Sequence, residues 1–400
     1  MVMNWNLLEE AKAIQDQLVA WRRELHAYPE VGFQLPQTFD FVSGVLRQLG
    51  YEPLKIGQCG IVASIGSGDP VILLRADMDG LPVQEASGLP FAAENRNAHV
   101  CGHDMHTAML LGAASLLRQH EASLKGTVKL MFQPAEESLS GASDMIANGL
   151  LNEPKPASAM MIHVMNTGDM EAGTVIIPPA GVSAPAADMF EIRLQGKGCH
   201  GAMPHNGFDP VNAGAHLVLA LQTISTREVS LNDAHALTIA CFQAGDTTNV
   251  IPDTAMLKGS VRSYDLKTQQ FLKERIEEIT HLTAQTYRIK AEVVWLSGCP
   301  TLVNHPKLVQ MAGEVLPQLL GRENVLTADQ LGGKAARSVG SEDFSYISQQ
   351  VPSLMLAMAA GGINELPLHH PGIIFDEKAL PYGAAVYAAF AFAQTGTASE

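Results

Sequence analysis

The chain has 400 residues, which is long for a single hydrophobic core, so two domains are the simplest organisation. Hydrophobic residues make up 46% of the chain and charged residues 17%, a composition that excludes a disordered protein. Asp and Glu outnumber Lys and Arg by 41 to 26, and the formal net charge of −15 argues against a nucleic-acid partner, which needs a basic face.

The spacing of the cysteines and the lack of a targeting pattern bear on the cellular compartment in which we expect the protein. The five cysteines are widely spaced and form no disulfide framework, which favours a reducing environment. The first residues lack the basic and then apolar pattern of a signal peptide. No apolar run reaches about 18 residues, so we expect no membrane partner. These features predict a cytoplasmic protein.

The first part of the chain alternates segments typical of helices and of buried strands. Helices are predicted at 6–26, 36–49, 107–119 and 142–150, and strands at 71–76, 127–132 and 159–162. After about residue 300 the pattern resumes, with helices near 306–320 and 342–349, a strand at 354–358 and a final helix from Tyr382. Such alternation predicts an α/β fold with a mostly parallel sheet and helices on both faces.

The middle of the chain has a different order of elements. Strands are predicted at 188–194, 236–244, 254–264 and 289–296, and helices at 210–226 and 268–287. The order β-α-β-β-α-β is that of the ferredoxin-like arrangement. We therefore predict an inserted domain at 186–296 and a discontinuous α/β domain formed by 1–185 and 297–400.

Side chains that can bind a metal follow several of the predicted strands. They are Asp77 and Asp79 after 71–76, Glu136 and Glu137 after 127–132, His163 at the end of 159–162, and His369 and His370 after 354–358. Open α/β sheets bind ligands beyond the carboxyl ends of their strands. Each signal alone is weak, since His163 by itself is more typical of a core histidine, and their joint placement predicts a shared site.

Two short segments carry the strongest chemical signals. Cys101 and His103, separated by a glycine, can reach one metal or a close pair of metals, and a thiolate favours Zn²⁺. The alternative is a helix start capped by Asp104, with a buried cysteine. We expect Glu136 and Glu137 to be extended and to point in opposite directions, so that one binds a metal and the other acts as a base. A solvated acidic pair at a helix start is the alternative.

Seven stretches carry a resemblance to a known family. They are RRELH at 22–26 with PE at 29–30, RADMDGLP at 75–82, CGHDMH at 101–106, PAEE at 134–137, GKGCHGAMPH at 196–205, TNVIP at 248–252 and LHHP at 368–371. By them the chain resembles the metallopeptidase-like amidohydrolases of the aminoacylase and carboxypeptidase superfamily. The most similar branch holds hippurate hydrolases, N-acyl-amino-acid aminoacylases and plant indoleacetyl-amino-acid hydrolases. The resemblance implies a two-metal catalytic domain with an inserted lid or dimerisation domain.

The resemblance also implies a ligand set and a cofactor. The metal ligands would be Cys101, His103, Glu137, His163 and His369. The cofactor would be two divalent ions per subunit, Zn²⁺ or Mn²⁺, with Co²⁺ and Ni²⁺ as further candidates. A register error of one residue would exchange His369 for His370. Asp77 is not predicted as a ligand, because other branches have His there.

Further roles follow from the same resemblance. Glu136 would be the general base and later the acid, and Asp79 would orient a ligand. His200 would reach into the site of a partner subunit and stabilise the oxyanion. Asn249 and Arg262 would contact the carboxylate of the substrate, for which the Arg fork is suited.

The predicted activity is metal-dependent hydrolysis of N-acyl amino acids, hippurate-like or N-acetylated, by a homodimer or tetramer assembled through the lid domain. N-acetyl-diaminopimelate and indoleacetyl conjugates are alternative substrates. A metal-independent thiol amidase that pairs Cys101 with His103 or His106 is an alternative of another class. A non-catalytic binding protein that kept the fold is a third, although the intact Glu136 argues against it.

Overall fold

The computed structural model describes residues 6–167, 170–328, 330–331, 337–361 and 363–396. The chain divides into two compact units. The first contains the described residues of Met1–Ser183, Val303–Arg337 and Glu342–Glu400, and the second contains Ala184–Leu302 and Ser338–Ser341. The predicted inserted span, 186–296, falls within the second unit.

The helices and strands are numbered in chain order. The helices are α1 (Leu7–Ala13), α2 (Gln15–Ala27), α3 (Pro36–Gln48), α4 (His103–Gln119), α5 (Gly141–Ala147), α6 (Pro210–Thr223), α7 (Leu266–Thr286), α8 (Pro306–Leu320), α9 (Ser345–Ser348) and α10 (Leu380–Thr395). The strands are β1 (Leu54–Ile56), β2 (Gly60–Gly66), β3 (Val71–Asp77), β4 (Thr127–Gln133), β5 (Ser158–Met165), β6 (Val175–Ile177), β7 (Gly181–Ala184), β8 (Ala186–Gln195), β9 (Cys199–His200), β10 (His235–Gln243), β11 (Val250–Ile251), β12 (Thr254–Ser263), β13 (Lys290–Cys299), β14 (Leu302–Asn304), β15 (Val325–Thr327) and β16 (Ser353–Ala359).

The first unit is built on an eight-stranded sheet in the order β1-β2-β4-β3-β5-β16-β6-β15. Its centre is parallel, because β3 pairs in parallel with β4 and β5, and β5 with β16. Antiparallel pairs flank this centre, β1–β2 and β2–β4 on one side and β6–β16 on the other. Every residue of β3 and β4 is buried, as expected for strands with helices on both faces. The predicted α/β class with a mostly parallel sheet is confirmed.

The apolar helices α4 and α10 form much of the core beside this sheet. Both are buried on almost all sides, because Ala, Leu, Met and Phe surround their axes. One polar group ties α10 to the sheet: the Tyr387 hydroxyl donates to the carbonyl of Arg75 (2.7 Å) and accepts from the amide of Ile162 (3.0 Å). Because a buried hydroxyl needs such partners, this tie fixes α10 against β3 and β5.

The second unit contains a four-stranded antiparallel sheet in the order β10-β12-β8-β13. With α6 after β8 and α7 after β12, the chain order is β-α-β-β-α-β, as predicted for a ferredoxin-like arrangement. Its core includes Phe190 and Ile192 from the sheet, Leu217 and Leu221 from α6, and Leu272 from α7. A core of its own is the mark of an independent structural unit.

Several predicted helices differ from the structure in their bounds or their continuity. The helix expected at 6–26 is two helices separated at Ile14, whose backbone leaves the helical region. The helix expected at 107–119 begins earlier, at His103. Of the helix expected at 342–349, only Ser345–Ser348 is helical, because the residues before it are committed to tertiary hydrogen bonds. Across the described ranges, we find no helix with the length and apolarity that crossing a bilayer requires.

Candidate metal centre and active site

The five predicted metal ligands come together at the carboxyl edge of the first unit's sheet. Cys101 precedes α4 and His103 begins it, His163 lies in β5, Glu137 follows β4 and His369 follows β16. Gly102 joins the first two with a left-handed backbone (φ 87°), and a Cβ at this position would come within 2.3 Å of Val164. Only glycine fits this turn, which brings the thiol and the imidazole together.

Distances between the donor atoms are those of a compact cluster. The Cys101 sulfur lies 3.6 Å from Nε2 of His163 and 3.4 Å from Nε2 of His369. Oε1 of Glu137 lies 3.6 Å from Nε2 of His369 and 3.8 Å from Nε2 of His103. Two groups, Cys101–His103–His163 and Cys101–Glu137–His369, each have ligand atoms within 4.8 Å of one another. They share the sulfur, an arrangement suited to two neighbouring ions.

Hydrogen bonds hold the imidazoles in the orientation that a metal requires. Nδ1 of His103 donates to the carbonyl of Asp79 (2.8 Å), and Nδ1 of His163 donates to the carbonyl of Val164 (2.7 Å). Each bond leaves Nε2 with its lone pair directed at the cluster. Among the described residues, the buried Nε2 of His103 and Oε1 of Glu137 have no hydrogen-bond partner. Because unpaired buried polar atoms are costly, these residues fit a divalent metal.

Burial shifts the pKa of two candidate ligands. Burial, with the neighbouring His106, lowers the pKa of His163 to about 3, so its imidazole is neutral and able to bind a metal. Burial also raises the pKa of the Cys101 thiol well above its usual range. Metal binding therefore has to release the thiol proton, which makes metal affinity depend on pH.

Of the two adjacent histidines in the loop after β16, His369 faces the cluster. Its amide donates to the carbonyl of Val100 (2.9 Å), which anchors the loop beside Cys101. His370 instead accepts a hydrogen bond at Nδ1 from the amide of Gly372 (3.1 Å) within its own exposed turn. The geometry thus favours His369 as the ligand.

The segment that carries Glu136 and Glu137 is a turn, so the expectation of an extended segment is wrong. Ala135 has a left-handed backbone (φ 55°), and the amide of Leu139 donates to the carbonyl of Glu136 (2.7 Å). The Asp79 carboxylate accepts from the amides of Glu136 (3.1 Å) and Glu137 (3.3 Å). The chain therefore does not continue β4 as an extended strand: the hydrogen bonds to Asp79 stabilise a turn there.

Glu136 is buried and surrounded by other carboxylates. Burial, followed by the nearby Glu342 and Asp343, raises the pKa of Glu136 well above its usual range. One of its carboxylate oxygens lies 4.0 Å from Nε2 of His103. A carboxyl group with a raised pKa next to a metal site is suited to accept and return a proton.

Sequence reasoning missed a buried network centred on Arg75. The Arg75 guanidinium donates to Asp77 (2.7 Å), Glu342 (2.9 Å), Asp343 (3.1 Å) and Gln133 (2.9 Å), and Arg75 is fully buried. An arginine inside an otherwise apolar strand was the available signal, because such a charge needs buried partners. The partners in the 342–343 segment had no signal of their own.

Sequence reasoning assigned no role to Asp77 and only one to His106, as a possible partner of Cys101 in a thiol amidase. Nδ1 of His106 donates to Oδ1 of Asp77 (2.6 Å), and its Nε2 accepts from the amide of Val164 (2.8 Å). Both ring nitrogens of His106 are thus in use. Asp77 lies 3.5 Å from Nε2 of His103 but is bound by Arg75 and His106. These hydrogen bonds fix the Asp77 carboxylate beside Nε2 of the candidate ligand His103.

His200, Asn249 and Arg262 lie in the second unit, away in sequence from the five ligands. His200 is exposed, and its strand β9 pairs with β11, where Val250 faces His200. The carbonyl of Asn249 accepts from the amide of Gly201 (2.7 Å), so His200 and Asn249 belong to one local structure. Arg262 lies on β12, outside this local structure, and its guanidinium donates to the Ser341 hydroxyl (2.8 Å).

Comparison with known proteins identifies the family. The profile of peptidase family M20/M25/M40 matches residues 73–393. The chain belongs to this family. N-acetyl-L-cysteine deacetylase of Bacillus subtilis is 36% identical over 372 residues, which cover 92% of this chain and 85% of the relative. Hippurate hydrolase of Campylobacter jejuni is 33% identical over 390 residues, covering 96% of this chain and 98% of the relative.

A solved structure of the same family extends the match to three dimensions. The crystal structure of a dinuclear metal-binding peptidase of family M20 from Bacillus subtilis has a TM-score of 0.76 and 32% identity to this chain. The match covers 95% of this chain and 98% of that one. Together these likenesses confirm the predicted family resemblance and the prediction of a hydrolase.

Proposed function

We propose that the protein hydrolyses the amide bond of N-acyl amino acids and releases a carboxylic acid and a free amino acid. The observation that carries this proposal is the convergence of Cys101, His103, Glu137, His163 and His369 beside the buried Glu136. Two relatives that match this chain over most of its length are named for the cleavage of such amides: N-acetyl-L-cysteine deacetylase and hippurate hydrolase. Two divalent ions are the cofactor that this donor set fits.

Divalent ions bound there supply Lewis acidity to the acyl oxygen and make a water molecule more acidic. The protein's own residues do the rest. Glu136 takes the proton from the attacking water and returns it to the leaving amine, a double role for which its raised pKa is suited. The Asp79 carboxylate holds the backbone of Glu136 and Glu137 in place by accepting hydrogen bonds from both amides.

The second unit supplies the remaining groups in this proposal. The exposed His200 donates a hydrogen bond to the developing oxyanion in the site of a partner subunit. Arg262, held by Ser341, and Asn249 bind the substrate carboxylate. The active species is then a homodimer, or a tetramer built from dimers, joined through the second unit, and we propose that it acts in the cytoplasm.

A chelation and substrate panel tests the proposal. The purified protein is stripped with a chelator, reconstituted separately with Zn²⁺, Mn²⁺, Co²⁺ or Ni²⁺, and assayed with hippurate, N-acetylcysteine, N-acetylmethionine, N-acetyl-diaminopimelate and indoleacetyl-alanine. We expect activity to vanish on stripping and to return with metal. Activity that survives chelation but is lost on alkylation would support the thiol amidase. Absence of cleavage across the panel would contradict the proposed substrate class.

A further inference from the structure

The turn that carries Glu136 and Glu137 is closed at both ends by one aspartate from a distant part of the chain. Oδ1 of Asp343 accepts from Nε2 of Gln133 at 2.6 Å, and Oδ2 accepts from the amide of Ala142 at 2.9 Å. Gln133 ends β4 and Ala142 lies in the first turn of α5. The two oxygens of one carboxylate therefore bind both ends of the segment 133–142.

Asp343 is itself held firmly. It is fully buried, and Oδ1 also accepts from Nη2 of Arg75 at 3.1 Å. Arg75 in turn donates to Oε1 of Gln133 at 2.9 Å, so the carboxylate, the amide and the guanidinium brace one another. In addition, the amide of Asp343 donates to Oε1 of Glu136 at 3.4 Å.

The turn needs such restraint because its backbone is strained. Ala135 (φ 55°) and Leu139 (φ 54°) both adopt the left-handed region, which is unfavourable for residues with a side chain. Asp79 binds the middle of the turn, at the amides of Glu136 and Glu137. Contacts at the two ends and in the middle together fix where both glutamates lie.

We propose that Asp343 is a positioning residue of the active site: by clamping both ends of the segment 133–142, it places Glu137 for metal binding and Glu136 for proton transfer. The part that concerns Glu136 rests on the proposed function, whereas the part that concerns Glu137 rests on metal binding alone. A residue that orients a ligand from behind typically changes metal affinity or activity 10- to 100-fold when it is replaced.

The test is Asp343→Asn. The side chain of asparagine has one oxygen, which can accept a hydrogen bond at one end of the segment, and an NH₂ group, which is a donor and cannot accept at the other end. Zn²⁺ and Mn²⁺ affinity is measured by competition with a chromogenic chelator, and kcat and KM are measured at saturating metal. We expect the metal dissociation constant to rise at least about tenfold, and kcat to fall about tenfold or more with KM within about twofold of wild type. If this variant does not fold, Gln133→Met releases one end only and is expected to shift both quantities in the same direction.

Asp188→Asn is the matched control. Asp188 is also a buried aspartate, and it is bound by Lys273 at 2.7 Å in the second unit. We expect Asp188→Asn to lower the thermal midpoint and to leave metal affinity and kcat unchanged. If Asp343→Asn behaves in the same way, with both quantities within about twofold of wild type, the clamp is only structural and the proposal is overturned. If wild-type protein cleaves no N-acyl amino acid, the proposed function fails, and the metal-affinity measurement alone still decides this proposal.

Discussion

The sulfur of Cys101 lies 3.4 Å from Nε2 of His369, although 268 residues separate the two in sequence. The same sulfur lies 3.6 Å from Nε2 of His163, whose other ring nitrogen already donates to a carbonyl. A thiol has one proton and can satisfy at most one of these imidazoles. Two neighbouring cations that share the sulfur would satisfy both imidazoles, since Cys101 belongs to both ligand groups.

Replacement of this sulfur should therefore weaken metal binding. For Cys101→Ser we expect at least a tenfold loss of Zn²⁺ affinity, because a hydroxyl is a poorer ligand than a thiolate for a borderline ion. Metal content after dialysis against a weak chelator, measured by elemental analysis, checks this. Cys59→Ser is the control, since Cys59 is also buried in the first unit but donates to the carbonyl of Phe33. Equal metal content in both variants would remove Cys101 from the ligand set.

Glu136→Gln should separate catalysis from metal binding. The substitution keeps the shape of the side chain and removes its ability to take up a proton. We expect kcat to fall at least about 100-fold while metal content stays at the wild-type level. Glu52→Gln, at an exposed position, is the control with the same chemical change. Near-normal turnover by metal-loaded Glu136→Gln would show that another group is the base.

The proposed role of His200 across subunits can be tested by mixing. Glu136→Gln and His200→Ala subunits are each expected to be nearly inactive alone. If His200 serves the partner's site, a mixed dimer has one intact site, and random exchange of subunits should restore about a quarter of the wild-type activity. Activity is measured after co-refolding or co-expression of the two variants. No recovery in proven mixed dimers would place His200 in its own subunit's site, whereas near-normal activity of His200→Ala alone would place it outside catalysis.

The buried His99 should make the stability of the metal-free protein depend on pH. Burial lowers the pKa of His99 to about 4, and neither ring nitrogen has a partner among the described residues. Between about pH 6.5 and 4 the unfolded chain binds this proton and the folded chain does not, so stability is lost as the pH falls. For His99→Leu we expect this loss to be smaller by up to about 3 kcal/mol over that interval.

Urea unfolding of the metal-free proteins at several pH values measures this difference. His281→Leu, on the exposed part of α7, is the control for removing a histidine from the chain. The free energy of unfolding of His99→Leu relative to wild type should increase steadily as the pH falls from 6.5 to 4. A difference that is constant across this range would show that His99 takes up its proton equally in the folded and unfolded states.

The sequence predicted the α/β class and the inserted β-α-β-β-α-β element order, and its motifs supplied the candidate residues of the metal cluster. These features have local or repeated signals: apolar runs of strand length, helical periodicity, and ligand-type side chains placed directly after strands. Cys101, His103, Glu137, His163 and His369 stand in motifs that resemble those of the family, and this resemblance proposed them as ligands before any distance between them was known. Their common edge follows from parallel strands, which end on the same side of a sheet.

Only the tertiary structure decided what holds those ligands in place. The turn at Glu136, the buried network around Arg75 and the clamp formed by Asp343 depend on hydrogen bonds between residues up to 268 positions apart. A hydrogen bond between distant residues leaves no periodicity in the chain, because it depends on a donor and an acceptor meeting only after the sheet has formed. The first residues of the segment 342–349 are not helical for the same reason. Glu342 and Asp343 form ion pairs with Arg75, and these contacts outweigh the local preference for a helix.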